Sequence, residues 1–486
     1  MAKFSKAFWV ANSVELLERL AYYAVFISLT LYLSNIWSFS DIEAGIISGI
    51  FSACLYLLPT FMGAYSDKIG FRKAIMIAFS LLTIGYLGLA VLPTMLESAG
   101  LVSYGAANAS ELNPDSFIDS LIGNFKEFFV SIGVGDFGRH TTFTGLETSA
   151  QRWTIVPVLM FLVVGGAFIK SVISGTVAKE TTAETRARGF AIFYMMVNIG
   201  AFTGKTIVDP LRKALGDEGM IYLNYFSAAA TLIALILVFF FYQSSKTEGQ
   251  GKTFSEIWQA FLKVCTNGRL IALILITTGF WTVQQQMYAS MPKYVIRLVG
   301  DGATPAWISN VNPLVVFLLV NLVTTLMKKR SAIASITVGM FIIPISALIM
   351  ASGNLVQGDI LGFHPITFMM IVGIAFQALA ECFISPRFLE YFSLQSPKGE
   401  EGLYLGFSHL HSFFSSLIAF GISGFLLEAF VPDPKTLPPG TDYAAATANA
   451  HYLWLVFFGI GLISAIALII YSQVVKKLDA QKAAKV

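Results

Sequence analysis

Apolar residues fill this chain in long runs separated by short polar stretches, without the period-two alternation of a half-buried strand. A run of about 20 apolar residues crosses a bilayer as one helix. By that measure, spans are predicted at 8–35, 42–65, 72–95, 153–176, 188–209 and 221–242. A second set follows at 269–298, 306–326, 331–352, 364–390, 402–428 and 450–474. The pattern predicts about twelve helices in two groups of six: an N-terminal bundle over 1–242, a linker over 243–268 and a C-terminal bundle over 269–486. The linker carries Ser244-Ser245-Lys246 and Gly249-Gln250-Gly251, with a short amphipathic helix expected around Phe254 to Val264. One polar stretch is long, an insertion over 97–152 with an amphipathic segment from Phe117 to Val134. A cap, a lid, a partner-binding surface and a decorative insertion are all open readings of it.

Composition agrees with a membrane chain. Of 486 residues, 56% are hydrophobic and 13% charged, with a mean hydropathy of +0.70, too apolar for a water-facing globular surface. No short apolar region with a small-residue cleavage site opens the chain, so the first helix is expected to stay in the mature protein. The net charge of +3 is spread over many loops and argues for no nucleic-acid partner. Lys3 and Lys6, Lys68 with Arg72 and Lys73, Lys179 with Arg186 and Arg188, Lys328 with Lys329 and Arg330, and Lys476 with Lys477 occupy alternate polar stretches. The positive-inside rule then places both termini in the cytosol, in a multi-pass protein of the plasma membrane, or of the inner membrane if bacterial. Cys54, Cys265 and Cys382 form neither a disulfide framework nor a metal-binding spacing.

The first span breaks the apolar rule with three charges: Glu15, Glu18 and Arg19. Each charge near the bilayer centre costs about 3 kcal/mol on insertion scales, and such groups usually face a wet cavity or a partner charge. Spacings of three and four put Glu15, Glu18, Arg19 and Tyr22 on one helix face. Glu15, Glu18 and Glu381 balance Arg19, Lys170 and Lys205 among the intramembrane charges, as a low-dielectric interior requires. A carboxylate whose basic partner is drawn to an arriving anion takes up a proton, a physical route from binding to coupling. Static salt bridges between helices are the other reading.

Further polar candidates are less specific. Lys205 is either a possible anion site, or a partner of Asp209 four residues on, or a side chain snorkelling outward. His409 and His411 are either proton relays or packing donors. Gln284-Gln285-Gln286 offers amide donors, of which a helix can turn only part toward one cavity. Pro59, Pro157, Pro292, Pro313, Pro344 and Pro386 mark candidate bends.

Several of these segments resemble known signatures. Gly63-Ala-Tyr-Ser-Asp67-Lys-Ile-Gly70-Phe-Arg72-Lys73 resembles the loop signature of the major facilitator superfamily, which makes Asp67, Arg72 and Lys73 a candidate cytosolic gate. Glu15-Leu-Leu-Glu18-Arg19-Leu-Ala-Tyr22-Tyr23 resembles the Glu-x-x-Glu-Arg-Phe-x-Tyr-Tyr motif of the proton-dependent oligopeptide transporters. Gly165-Gly-Ala-Phe-Ile-Lys170 and Phe193-Tyr-Met-Met-Val-Asn198-Ile-Gly200-Ala-Phe202 are similar to further motifs of that family, although Ser171 replaces an expected proline. So are Asn312-Pro313 and Glu381-Cys-Phe-Ile-Ser385-Pro386.

The resemblance implies an all-α membrane protein with the major facilitator fold, working as a proton symporter of di- and tripeptides by alternating access. It implies proton coupling by Glu15, Glu18, Arg19, Lys170 and Glu381, and substrate binding by Tyr22, Tyr23, Tyr56, Lys170, Asn198, Gln285, Asn312 and Glu381, with Glu381 taking the peptide amine. Two positions depart from the family: Phe26 stands where an arginine is expected, and Gln285 where a glutamate is expected. In the family these charges pair, so their joint loss is coherent, and it removes the arginine that clasps the peptide carboxylate. A small zwitterionic solute, protons and the bilayer are the expected partners of a monomer that needs no cofactor, no metal and no enzyme chemistry. Another facilitator carrier, of an organic anion, an amino acid or a drug exchanged for protons, and a non-transporting receptor or scaffold stay open as alternatives.

Overall fold

A computed structural model describes residues 4–101, 103–106, 140–144, 150–182, 184–243, 253–300, 302–395 and 407–483. Apolar runs of this length become helices because lipid offers no partner to backbone N–H and C=O groups, and a helix satisfies them within the segment. Among the described residues, eleven helices are long and apolar enough to cross a membrane, and the bent pair Lys6–Phe26 and Leu29–Asn35 brings the number to twelve. Every predicted span falls on one of them. The helices fall into two compact units.

One unit comprises Met1–Ala44, Ser66–Gly249 and Thr304–Trp307. Its first helix, α1 (Lys6–Phe26), starts at Ser5, whose hydroxyl caps the Phe8 N–H at 3.1 Å. The span predicted as continuous is broken. Ser28 Oγ donates to the Val25 carbonyl at 3.1 Å, and α2 (Leu29–Asn35) leaves at 45° to α1. Next come α3 (Asp41–Ile69), α4 (Phe71–Ser98), the strands β1 (Ser103–Ala106) and β2 (His140–Thr144), α5 (Ile155–Lys179), α6 (Arg186–Leu215) and α7 (Glu218–Phe241). Ser40 and Glu43 form a capping box at the start of α3, and Gly70, at φ 88°, allows the tight turn into α4.

The two strands pair antiparallel, with Ala106 opposite His140 and Ser103 opposite Thr144. The amphipathic segment 117–134 lies outside the described residues. Where the chain returns, Arg152 grips Glu43 with two nitrogens at 3.1 and 2.9 Å and lies over the Phe39 ring at 5.0 Å.

Within this unit α1 packs on α6 and α7, and α4 on α5 and α7. The α1–α6 contact depends on two glycines. A Cβ on Gly200 would stand 2.6 Å from the Leu16 carbonyl oxygen, and one on Gly204 would collide with the Leu20 carbonyl. Only glycine lets the backbones come this close.

The other unit comprises Gly45–Tyr65, Gln250–Ala303 and Ile308–Val486. It contains α8 (Phe254–Cys265), α9 (Gly268–Gln284), α10 (Gln286–Ala289), α11 (Met291–Val299), the last two residues of α12 (Pro305–Ser309), α13 (Val311–Leu326), α14 (Ala332–Ser352), α15 (Pro365–Gln395), α16 (Leu410–Phe430), α17 (Tyr443–Ala446) and α18 (His451–Ala483). The amphipathic linker helix is α8, which buries Ile257 and Val264. The seventh span, predicted as one helix, is α9, α10 and α11 in succession. Pro292 has no N–H to return to the Tyr288 carbonyl, so the helix restarts there with proline in its first turn. Pro313 sits in the first turn of α13 in the same way, whereas Pro59, Pro344 and Pro386 lie inside continuous helices.

The core of this unit gathers Leu273, Phe280, Met340, Ile384, Trp454 and Phe457. The middle of α3 packs here on α16, where Gly45 and Gly49 meet the Phe420 backbone and side chain and Ser52 Oγ lies 3.0 Å from Ser416 Oγ.

Gly204→Val is expected to force α1 from α6 at a cost of about 1–3 kcal/mol. Thermal unfolding in detergent should show a lowered midpoint. The control Gly421→Ala, where an added methyl meets open space, should not lower it.

Candidate functional site

In the first unit the motif of α1 folds into an ion triad. Helical spacing brings Arg19 Nε to 3.1 Å from Glu15 Oε1, and Glu18 Oε2 lies 2.5 Å from the same nitrogen. Glu15, Glu18 and Arg19 are 3%, 2% and 6% exposed, so these ions are removed from solvent as well as paired. Lys170, half-buried on α5, interacts electrostatically with all three. Two carboxylates therefore meet two cations, the balance that makes ionised groups tolerable in an apolar interior.

An aromatic column continues from the triad along α1. The Arg19 guanidinium lies 5.5 Å from the Tyr22 ring centre, and Tyr22 stacks on Phe26 at 5.0 Å. Phe26, where the family pattern has an arginine, is thus a buried apolar wall. Tyr23 meets Tyr22 edge-on at 5.1 Å, and the Lys205 ammonium lies over the Tyr23 ring at 5.6 Å. Lys205 does not snorkel outward, because it is 1% exposed. Asp209, the partner considered for it, forms an ion pair with Arg212 at 3.8 Å and accepts the Trp307 backbone N–H at 2.9 Å. Asn198, half-buried on α6, returns its amide to the Tyr194 carbonyl at 2.7 Å. Of the gate residues, the Asp67 side chain lies outside the described residues. Arg72 donates to the Phe239 carbonyl in the last turn of α7 at 2.7 Å, and Lys73 is exposed.

In the second unit, breaks in the spans organise the polar groups. Glu381 on α15 accepts, at the single oxygen Oε2, the Asn312 amide at 3.1 Å and the Gln284 amide at 2.9 Å. Asn312 is in the first turn of α13 and Gln284 is the last residue of α9, so both donors stand where helices restart or end. Asn312 and Glu381 are both site residues implied by the sequence; Gln284 is a further member that the sequence alone does not single out. Gln285, which it does single out, points its amide to Ser416 Oγ at 3.5 Å. Gln286 is taken up by the Thr282 and Ala419 carbonyls and by Ser290. The run of three amides ahead of Pro292 was the available signal, and only the helix phase at the break separates their roles.

Tyr56 belongs to this unit and is half-buried. His411, 4% exposed, stacks on Trp281 with ring centres 5.0 Å apart and planes at 3°, and its Nδ1 lies 2.9 Å from Ser412 Oγ. Among the described residues there is no cluster of His, Cys, Asp and Glu fit to hold a metal ion.

Long apolar helices in this number define a multi-pass membrane protein with the major facilitator fold. Solved structures carry the same architecture. One solved in a study of substrate recognition in proton dependent oligopeptide transporters superposes with a TM-score of 0.64 at 16% identity, covering 96% of this chain and 98% of its own. A POT family transporter solved in meso superposes at 0.67 with 15% identity, covering 98% and 99%. The model of the POT family matches residues 263–436. Over a longer span the chain is similar to curated permeases. Dipeptide and tripeptide permease B of Shigella dysenteriae serotype 1 (strain Sd197) is 25% identical over 475 residues, 90% of this chain and 90% of that protein. The permease B of Photorhabdus luminescens is 24% identical over 487 residues, 92% and 93%.

Arg19→Met should leave two buried carboxylates without their nearest cation and cost about 3–5 kcal/mol of stability. Adding Glu15→Gln and Glu18→Gln should restore much of the loss, because the charge that needed a partner is gone. Unfolding midpoints of the single and triple variants measure both effects.

Proposed function

We propose that this chain is a proton-coupled symporter that imports di- and tripeptides, or related small zwitterionic solutes, by alternating access. The observation that carries the reading is the buried triad of Glu15, Glu18 and Arg19 with Lys170 in electrostatic reach. Such a cluster is neutral only while every member keeps its partner. When an anionic group of the cargo engages Lys170 or Arg19, a glutamate loses its counter-charge and takes a proton, so cargo and proton enter together. Release of one then frees the other.

Glu381 receives the amine end of the substrate, assisted by Asn312, while Tyr22, Tyr23, Tyr56, Asn198 and Gln285 line the path. Similarity to dipeptide and tripeptide permeases across nine-tenths of the chain supports this substrate class. The carboxylate end is read differently from the family pattern, because the stacked ring of Phe26 supplies no cation. Lys170 is the cation for it, with Lys205 as a possible second anion site. Asp67, Arg72 and Lys73 form the cytosolic gate of a monomer whose basic loops and termini face the cytosol. Protons are the coupling ion, and no cofactor is needed.

Proteoliposomes with an imposed inward proton gradient test the reading, with labelled di- and tripeptides, amino acids and organic anions as cargo. Wild-type protein should accumulate short peptides. Glu18→Gln and Lys170→Ala should each lose gradient-driven accumulation while retaining exchange of internal for external peptide; full accumulation in both would refute the coupling role. Glu381→Gln should weaken only ligands with a free amine.

A further inference from the structure

At one end of the first unit, basic side chains from three helices stand around the last turn of α7. Arg72, in the first turn of α4, donates a guanidinium N–H to the Phe239 carbonyl at 2.7 Å. Lys6, which opens α1, holds its ammonium 5.0 Å from the centre of the Phe241 ring. Lys179, in the last turn of α5, lies over the ring of Phe71, the chain neighbour of Arg72, at 3.6 Å. All three cations are exposed. Glu180, the acid that follows Lys179, accepts the Ser5 hydroxyl at 2.5 Å.

The rings beside these cations also face outward. Phe239, Phe240 and Phe241 are 51%, 67% and 44% exposed. The residue after them is the opposite case: Tyr242 is buried, and its hydroxyl lies 2.8 Å from Thr176 Oγ1 on α5. The end of α7 is therefore tied down while its three phenylalanines stay outside. Three consecutive exposed rings are costly against water and natural against lipid. At the end of a span they lie just beneath the headgroups, at the depth where basic side chains meet phosphate.

We propose that this end of the first unit is a binding site for an anionic phospholipid, with Lys6, Arg72 and Lys179 around the headgroup phosphate and Phe239, Phe240 and Phe241 against the glycerol and upper acyl chain. Charge selects the headgroup, and the rings select a molecule that carries a chain. A zwitterionic phospholipid brings its own cation and gains less from the three bases. A soluble phosphate ester gains nothing from the rings. The bound lipid bridges α1, α4, α5 and α7 across the surface of the unit.

The full-length protein, purified in detergent, is titrated with dioleoylphosphatidylglycerol, dioleoylphosphatidylcholine and glycerol 3-phosphate. Native mass spectrometry reads retained lipid, and the unfolding midpoint reads stabilisation. Wild-type protein should retain the phosphatidylglycerol at concentrations where the phosphatidylcholine is lost. Lys6→Gln should weaken phosphatidylglycerol about fivefold, whereas Lys6→Arg should preserve binding. Phe240→Ala should weaken it too, with the charge unchanged. Lys328→Gln, at an exposed basic position of the second unit, should have no effect. Lipid-free midpoints near that of the wild type establish that each variant is folded, and Phe240→Ala keeps the test open if Lys6→Gln is not. Equal retention of the two lipids by the wild type overturns the site. So does an equal loss in Lys6→Gln and Lys328→Gln, which would mean a diffuse basic surface. Full phosphatidylglycerol binding by Phe240→Ala, or its displacement by glycerol 3-phosphate at equal concentration, would show a phosphate site without a lipid seat and overturn the proposal.

Discussion

The ion pairs that Arg19 makes with Glu15 and Glu18 constrain the structure around them. Three ionised groups in one helix turn can be removed from water only if every charge is matched and the geometry does not drift. The helix must therefore hold its phase through residues 15–22, and the chain bends only afterwards, at Ser28. The neighbouring helix must approach closely enough to shield the cluster, and Gly200 and Gly204 make that approach sterically possible along Leu16 and Leu20. Lys170 from α5 supplies the second cation, so neutrality is a property of two helices together. Sequence, helix phase, packing and electrostatics meet at this one place.

The described contacts of the carboxylates differ between the two units. In the first, the acids are answered by cations of the protein, which makes a set that is stable at rest and sensitive to anything that recruits one of its members. In the second, Glu381 accepts hydrogen bonds from the Gln284 and Asn312 amides, which stand at helix ends. Phe26 adds a third departure. Stacked on Tyr22, it makes apolar a position where the family pattern has a charge.

Much of this was legible in the amino acids because its cause is local. Lipid forces backbone groups into helices, so runs of apolar residues reveal the spans directly, and spacings of three and four reveal the shared face of Glu15, Glu18, Arg19 and Tyr22. What escaped depends on tertiary placement. Ser28 reads as one more small residue in a membrane run until its hydroxyl is seen to bond back to Val25. Three adjacent glutamines are chemically identical, and only the position of the break before Pro292 decides that Gln284 meets Glu381 while Gln286 is consumed by backbone carbonyls. The strand pair β1–β2 lies in the 97–152 insertion, for which the sequence pattern offers no strand. Lys205 looked capable of reaching water from its end of the span, yet it packs over Tyr23.

The neck of the insertion, described with the first unit, bears on how the chain can vary. Ala106 and His140 are paired neighbours, so the ends of the two strands are pinned together, and the Arg152 clamp on Glu43 fixes the chain where α5 approaches. Closing a loop across paired strands depends only weakly on how many residues it contains. Ends pinned in this way let the register of the neighbouring helices stand apart from the number of residues joined between the strands.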